Sequence, residues 1–231
     1  MSLSPFLEDY LDRDDFGAAL RALAEPLGSE LGLPARVDEL GLVCPSVLLA
    51  AEQLKRRWPE MKTFLLGEGS PSTFVENGAE VPFTTRVGFG FYKGVILELA
   101  EPGVGSDIFG QTPNPEGRIV INHLGFAGRG EQLTRTDGGT RRDFADAMRA
   151  HRVDKRIDAV LDLLGFVGHI RIFETRARTQ NVEIEFLDFR LFEDGGLKIN
   201  YPAFLGGLVG WWQAHVGPRL LKLPAHQPLP P

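Results

Sequence analysis

Cysteine is almost missing from this chain: Cys44 is the single residue of its kind. That excludes an internal disulfide framework and any cysteine-rich zinc site. Positive charge is in deficit too, with 25 Lys and Arg against 31 Asp and Glu and a formal net charge of -6. No global positive field exists to attract a phosphate backbone, so nucleic acid is excluded as the main partner. Tyrosine is scarce, three residues against sixteen phenylalanines, which points to a greasy interior or pocket. No apolar run reaches the roughly 18 residues that a membrane helix needs. The nearest, YPAFLGGLVGWWQAHV, falls short. The opening MSLSPFLEDYLDRDD is acidic and lacks the positive region and apolar run of a signal peptide. A soluble, cytoplasmic protein without a membrane partner is the expectation. No nucleophile elbow is present, and GFGFYKG misses the third glycine spacing of a dinucleotide loop.

What remains is an ordinary globular balance, 43% hydrophobic and 24% charged over 231 residues, enough for one large domain or two small ones. Residues 1–35 predict a helical extension of one or two short helices broken near Pro26. ARVDELGLVCPS alternates like a strand closed by Pro45. SVLLAAEQLKRRW predicts a helix capped by Ser46, with Leu48, Leu49, Gln53 and Leu54 along one side. KTFLLG predicts a short strand, and FTTRVGFGFYKGVILELAEP a hairpin turning at Lys93-Gly94. RIVINHLGF predicts a strand, and the segment around 142–164 a helix ending at Gly165. VGHIRIFET, VEIEFLDFRLF and GLKINY predict three more strands. The segment 205–231 predicts a C-terminal amphipathic helix bearing Trp211, Trp212 and His215, then an extended tail.

The order strand–helix–three strands therefore occurs twice, over 36–110 and 118–204. The copies match in position as well as in order. Val37-Asp38-Glu39-Leu40-Gly41-Leu42 aligns with Ile121-Asn122-His123-Leu124-Gly125-Phe126. Alternation puts Glu39 with Val37 and Gly41, and His123 with Ile121 and Gly125, on one face each.

VDELGLVCPS and INHLGF, each opening such a module, with GVILELAEP closing the first, resemble the vicinal oxygen chelate superfamily of glyoxalases, bleomycin-resistance proteins and extradiol dioxygenases. The resemblance implies an α+β fold: two βαβββ modules forming a curved, cup-shaped mixed sheet. It also implies a divalent metal, Mn, Fe, Mg or Zn, held by the first and last strands of each module. Carried over, the metal positions are Glu39, Glu98, His123 and Asn200, with Glu98 and Glu39 as the catalytic carboxylates. Two functions are implied. One is a metal-dependent lyase, isomerase or dioxygenase acting on a small oxygenated, partly apolar substrate in the central cup. The other is a metal-free protein that binds or sequesters a small molecule in the same cup.

The residues themselves bear on this. Glu98 lies in the apolar run Val95-Ile96-Leu97-Glu98-Leu99, where a buried carboxylate needs a positive neighbour. A metal satisfies that need, and so does a buried Glu98–His123 ion pair joining the modules. One imidazole, two carboxylates and an amide oxygen form a hard-to-borderline ligand set. Arg129, Arg135, Arg141 and Arg142 crowd one polar loop, as a solvated loop or as a clamp for an acidic group. Trp211 and Trp212 fit packing against the sheet or against a second subunit of a homodimer. Cys44 reads as inert core.

Overall fold

The structure, a computed structural model, describes residues 4–31, 37–61, 65–69, 71, 73–106, 108–109, 117–127, 135–136, 140–141, 155–163, 166–173, 183–191, 197–198, 207, 211 and 219–222. Three helices are described: α1 (Glu8–Leu11), α2 (Phe16–Leu31) and α3 (Val47–Arg57). The strands of the first half are β1 (Glu39–Val43), β2 (Leu65–Gly69), β3 (Thr73–Glu76), β4 (Ala79–Glu80), β5 (Thr85–Tyr92) and β6 (Val95–Ala100). Those of the second are β7 (Val120–Ala127), β8 (Arg135–Thr136), β9 (Thr140–Arg141), β10 (Lys155–Leu163), β11 (Phe166–Phe173), β12 (Glu183–Leu191), β13 (Leu197–Lys198) and β14 (Arg219–Lys222).

The chain is α+β, as expected, and built on one mixed sheet of order β14-β2-β5-β6-β1-β7-β12-β11-β10-β3-β4. Two blocks of like strand order meet at its centre. In the first, the closing strand β6 runs parallel to the opening strand β1; in the second, β12 runs parallel to β7. The antiparallel pair β1–β7 joins them. The sheet path is open, its terminal strands not hydrogen-bonded to each other. Only residues 70–72 separate β2, near one end, from β3, near the other. Phe74 of β3 packs with Val43, Ala100, Phe83 and Phe109 over the middle of the sheet.

Local chemistry explains the first block. Ser46 Oγ accepts from the Leu49 N–H, and Glu101 Oε1 accepts from the Val47 N–H at 2.8 Å, so the start of α3 is capped twice. Lys55, Arg56 and Arg57 sit at its negative end. The buried face of α3 is Val47, Ala50, Ala51 and Leu54, whereas Leu48 and Leu49 are exposed. The expected apolar side was therefore set one residue off, because the i, i+3, i+4, i+7 series starts at Val47. The β5–β6 hairpin turns on Lys93 and Gly94, both at positive φ, as a two-residue loop requires.

The opening segment is part of the core. α2 runs unbroken through Pro26, against the expected break. Its packed residues Phe16, Ala19, Leu20, Leu23 and Ala24 precede the proline, and tertiary packing outweighs one missing hydrogen bond. With Leu7, Tyr10 and Leu11 they join Leu40, Leu42, Leu97 and Leu99 in one cluster. Each fully buried large side chain is worth roughly 1.5–3 kcal/mol. The Arg13–Asp15 pair is exposed and screened by solvent, so apolar burial fixes this segment.

The second block departs from expectation at one element. Residues 155–163, expected in the helix around 142–164, form β10, paired with both β11 and β3. Residues 142–154 lie outside the described residues. Ile157, Val160, Leu161 and Leu164 fit a helical period, while Ile157, Ala159, Leu161 and Leu163 fit an alternating one. Two-sided pairing decides for the strand. Leu163 opposes Phe166, so a strand and not a helix precedes Gly165, which itself lies outside the described residues. The C-terminal helix expected within 205–218 and the tail beyond Lys222 fall almost wholly outside the described residues. No described helix is long and apolar enough to cross a membrane.

Candidate metal centre

The antiparallel pair at the centre of the sheet sets the site. Glu39 of β1 stands opposite Gly125, and His123 of β7 stands opposite Gly41. Each functional side chain therefore faces a glycine of the other module, and the glycines are there for space. A Cβ on Gly41 would lie 1.9–2.2 Å from three atoms of the His123 ring. One on Gly125 would lie 2.7 Å from the Glu39 Cβ. Next to Gly41, on the parallel strand β6, is Glu98.

The three groups converge. One ligand atom from each of Glu39, Glu98 and His123 lies within 4.8 Å of the others. His123 Nε2 is 3.5 Å from Glu98 Oε2. That is long for a charge-assisted N–H···O bond, at about 2.7–2.9 Å. It is near the separation of two ligands about 2.1 Å from one ion, which at bond angles of 90–110° is about 3.0–3.4 Å. Two carboxylates within 4.8 Å of each other repel when both are charged, and a divalent cation between them reverses that sign. Glu39 and His123 are fully enclosed, and the Glu98 side chain keeps 16% of its surface open. The residues fit a divalent ion with one side left for a further ligand.

Asn200, the fourth expected position, lies outside the described residues, and β12 occupies the place assigned to its strand. Because β10 went uncounted, every later strand of the second module was numbered one too early. The closing strand is β12, where Glu185 opposes Gly125 as Glu98 opposes Gly41. Glu185 is thus the register mate of Glu98. The signal was present: VEIEFLDF repeats the placement of a carboxylate three residues after a valine seen in VILELA.

Ile121 does not share a face with His123. The β1–β7 register shifts between Gly41 and Leu42, and Ile121 packs with the helices beside Leu42 and Leu124. Cys44 is core, as expected. Burial above all, then the Glu101 carboxylate, pushes its thiol up to about 12. A thiol reagent at pH 8 should leave the native protein unmodified and label it stoichiometrically only in denaturant. Labelling at equal rates with and without denaturant would contradict this burial. Of the arginine loop, Arg135 and Arg141 are paired across the β8–β9 hairpin; Arg129 and Arg142 lie outside the described residues.

Solved structures similar to this one include a hypothetical protein of Bacillus halodurans, 15% identical, covering 66% of this chain and 92% of that one at a TM-score of 0.38. A variant of 4-hydroxymandelate synthase from Streptomyces coelicolor is 10% identical, covering 78% of this chain and 54% of that one at a TM-score of 0.37. Methylmalonyl-CoA epimerase of the same organism, in complex with 2-nitronate-propionyl-CoA, is 16% identical, covering 66% and 95% at a TM-score of 0.34. These neighbours are vicinal oxygen chelate proteins. No family model matches the sequence, and no curated protein matches it. Likeness of this size carries nothing about activity, which rests on the residues of this chain.

Proposed function

We propose that the chain is a metal-dependent enzyme of the vicinal oxygen chelate type, an isomerase or lyase acting on a small substrate with two adjacent oxygens and an apolar body. The supporting observation is the convergence of Glu39, Glu98 and His123, from two modules, within 4.8 Å. These three would hold the ion, with Glu185 at the fourth position by register. When bound, a divalent ion supplies Lewis-acid polarisation of a substrate oxygen.

The chain supplies the rest. Glu39, wholly enclosed, is a fixed charge. Glu98, partly open, would be the carboxylate that takes a proton from a substrate carbon and returns it. Ring cleavage on iron would call for two histidines and a carboxylate, and among the described residues the site brings together one histidine. On β5, Val87, Phe89 and Phe91 oppose Ala100, Glu98 and Ile96 on the site face, each half-buried. Neither β5 nor β6 places a lysine or arginine on that face. An uncharged apolar body beside the chelated oxygens fits this surface.

Protein prepared without chelators or metal-affinity columns should contain about one divalent ion per chain. Loaded with Mn2+, it should bind phenyllactate about 10-fold to 100-fold tighter than lactate, which offers the same oxygens without the ring. Phe89→Ala should erase that preference and leave lactate binding unchanged. Metal-free protein whose melting is unmoved by Mn, Fe, Mg or Zn would end the proposal.

A further inference from the structure

β7 carries one residue more than β1 can match. Leu40 and Gly41 pair with Leu124 and His123, while Leu42 and Val43 pair with Ile121 and Val120, so the register steps over Asn122. Such a bulge re-aims side chains, and here it lets two successive residues meet. Asn122 Oδ1 lies 2.9 Å from His123 Nδ1, and both residues are buried, at 5% and 1% exposure. In an unbulged strand these neighbours would point to opposite faces.

The other end of the amide is committed. Asn122 Nδ2 donates to the Ile108 carbonyl at 3.5 Å. Ile108 belongs to the segment between the modules, and the next residue, Phe109, packs its ring against His123 with centroids 6.5 Å apart. With Nδ2 donating there, Oδ1 is the acceptor toward histidine, and His123 Nδ1 must be the donor. The opposite ring nitrogen, Nε2, faces Glu98. A neutral ring protonated at Nδ1 offers a lone pair at Nε2, whereas the other tautomer would offer a proton and hold no ion.

We infer that Asn122 is the positioning residue of this site: it fixes His123 as the Nδ1–H tautomer and ties the ligand's orientation to the inter-module segment at Ile108 and Phe109. The affinity consequence rests on the metal reading above; the tautomer does not. The test uses the full chain labelled with 15N-histidine, metal-free, at a pH raised until the ring 15N shifts no longer move. The His123 signals are assigned by their loss in His123→Gln. Wild type should show a protonated Nδ1 and a bare Nε2. Asn122→Leu should lose that preference and weaken Mn2+ binding about 10-fold to 100-fold by calorimetry. Asn122→Asp, which keeps the acceptor toward Nδ1 and loses the donor to Ile108, should keep the Nδ1–H tautomer.

A wild-type ring protonated at Nε2 overturns the inference, as does a folded Asn122→Leu protein with unchanged tautomer and unchanged Mn2+ affinity. If Asn122→Leu fails to fold, the wild-type ring and Asn122→Asp still decide. Should wild type take up no Mn2+, the proposed enzyme fails while the tautomer measurement continues to judge Asn122.

Discussion

Gly41→Ala should abolish metal binding and cost about 3 kcal/mol of stability or more. The added carbon would sit 1.9 Å from Cε1, 2.0 Å from Nε2 and 2.2 Å from Nδ1 of His123. The ring has nowhere to go: Nδ1 is held by Asn122, Phe109 packs against it, and its backbone is paired on both sides. Relief requires β1 and β7 to separate, which breaks the joint between the two modules. Gly125→Ala meets the Glu39 Cβ at 2.7 Å, the root of a side chain that no rotation can move, and should be the milder of the pair. Gly94→Ala is the control. It sits at φ +88 with nothing within 4 Å of the new carbon, so it should cost about 1–2 kcal/mol through conformation alone and leave metal affinity intact. Melting curves with and without Mn2+ read all three. A Gly41→Ala protein that melts and binds like wild type would mean the His123 ring does not lie across Gly41.

Much of the fold was legible because the duplication leaves a double signature. The motif pair around Gly41 and Gly125 marks the antiparallel β1–β7 seam where the opening strands of the two modules meet, and glycine is forced there by the facing side chain. The Lys93-Gly94 turn and the Ser46 cap were legible for similar reasons: each is a local backbone requirement that few residues meet. β10 was not. Lys155–Leu163 satisfies helical and alternating periods at once, and its assignment depends on pairing with β3, more than 70 residues earlier. β3 and β4 are a short insertion between β2 and β5, and no periodicity in so few residues announces a strand.

The candidate site followed the same division. Glu39, Glu98 and His123 were within reach because they sit on strands with clear alternation beside an obligatory glycine. Asn200 lies outside the described residues, and the register of β12 offers Glu185 for the same position. Asn122 was invisible for a different reason. A bulge changes which face a residue occupies without changing the sequence pattern, so Ile121 looked like the neighbour of His123 and Asn122 looked like its opposite.

The ligand set itself is tested by substitution, with three variants whose expected order is unambiguous. His123→Ala removes the one nitrogen ligand of the described group and should weaken Zn2+ or Mn2+ binding more than about 100-fold, beyond what loss of a supporting hydrogen bond does. Glu185→Gln keeps shape and removes charge at the register mate of Glu98, and should weaken binding to a lesser but clear degree. Asn200→Ala should change nothing. The reason is register: Glu185, on the strand parallel to β7, is the residue opposite Gly125. Thermal melts separate these effects from plain damage to the core. At 100 times its dissociation constant, a metal that binds the native state alone adds about 2.7 kcal/mol to wild-type stability, and His123→Ala should forfeit that gain. In chelator the same variant also loses the group between two carboxylates, so its melt should fall below wild type there as well. If His123→Ala shows the wild-type gain with Mn2+, the ion is held elsewhere. If Asn200→Ala loses affinity while Glu185→Gln keeps it, the register argument for the fourth ligand is wrong.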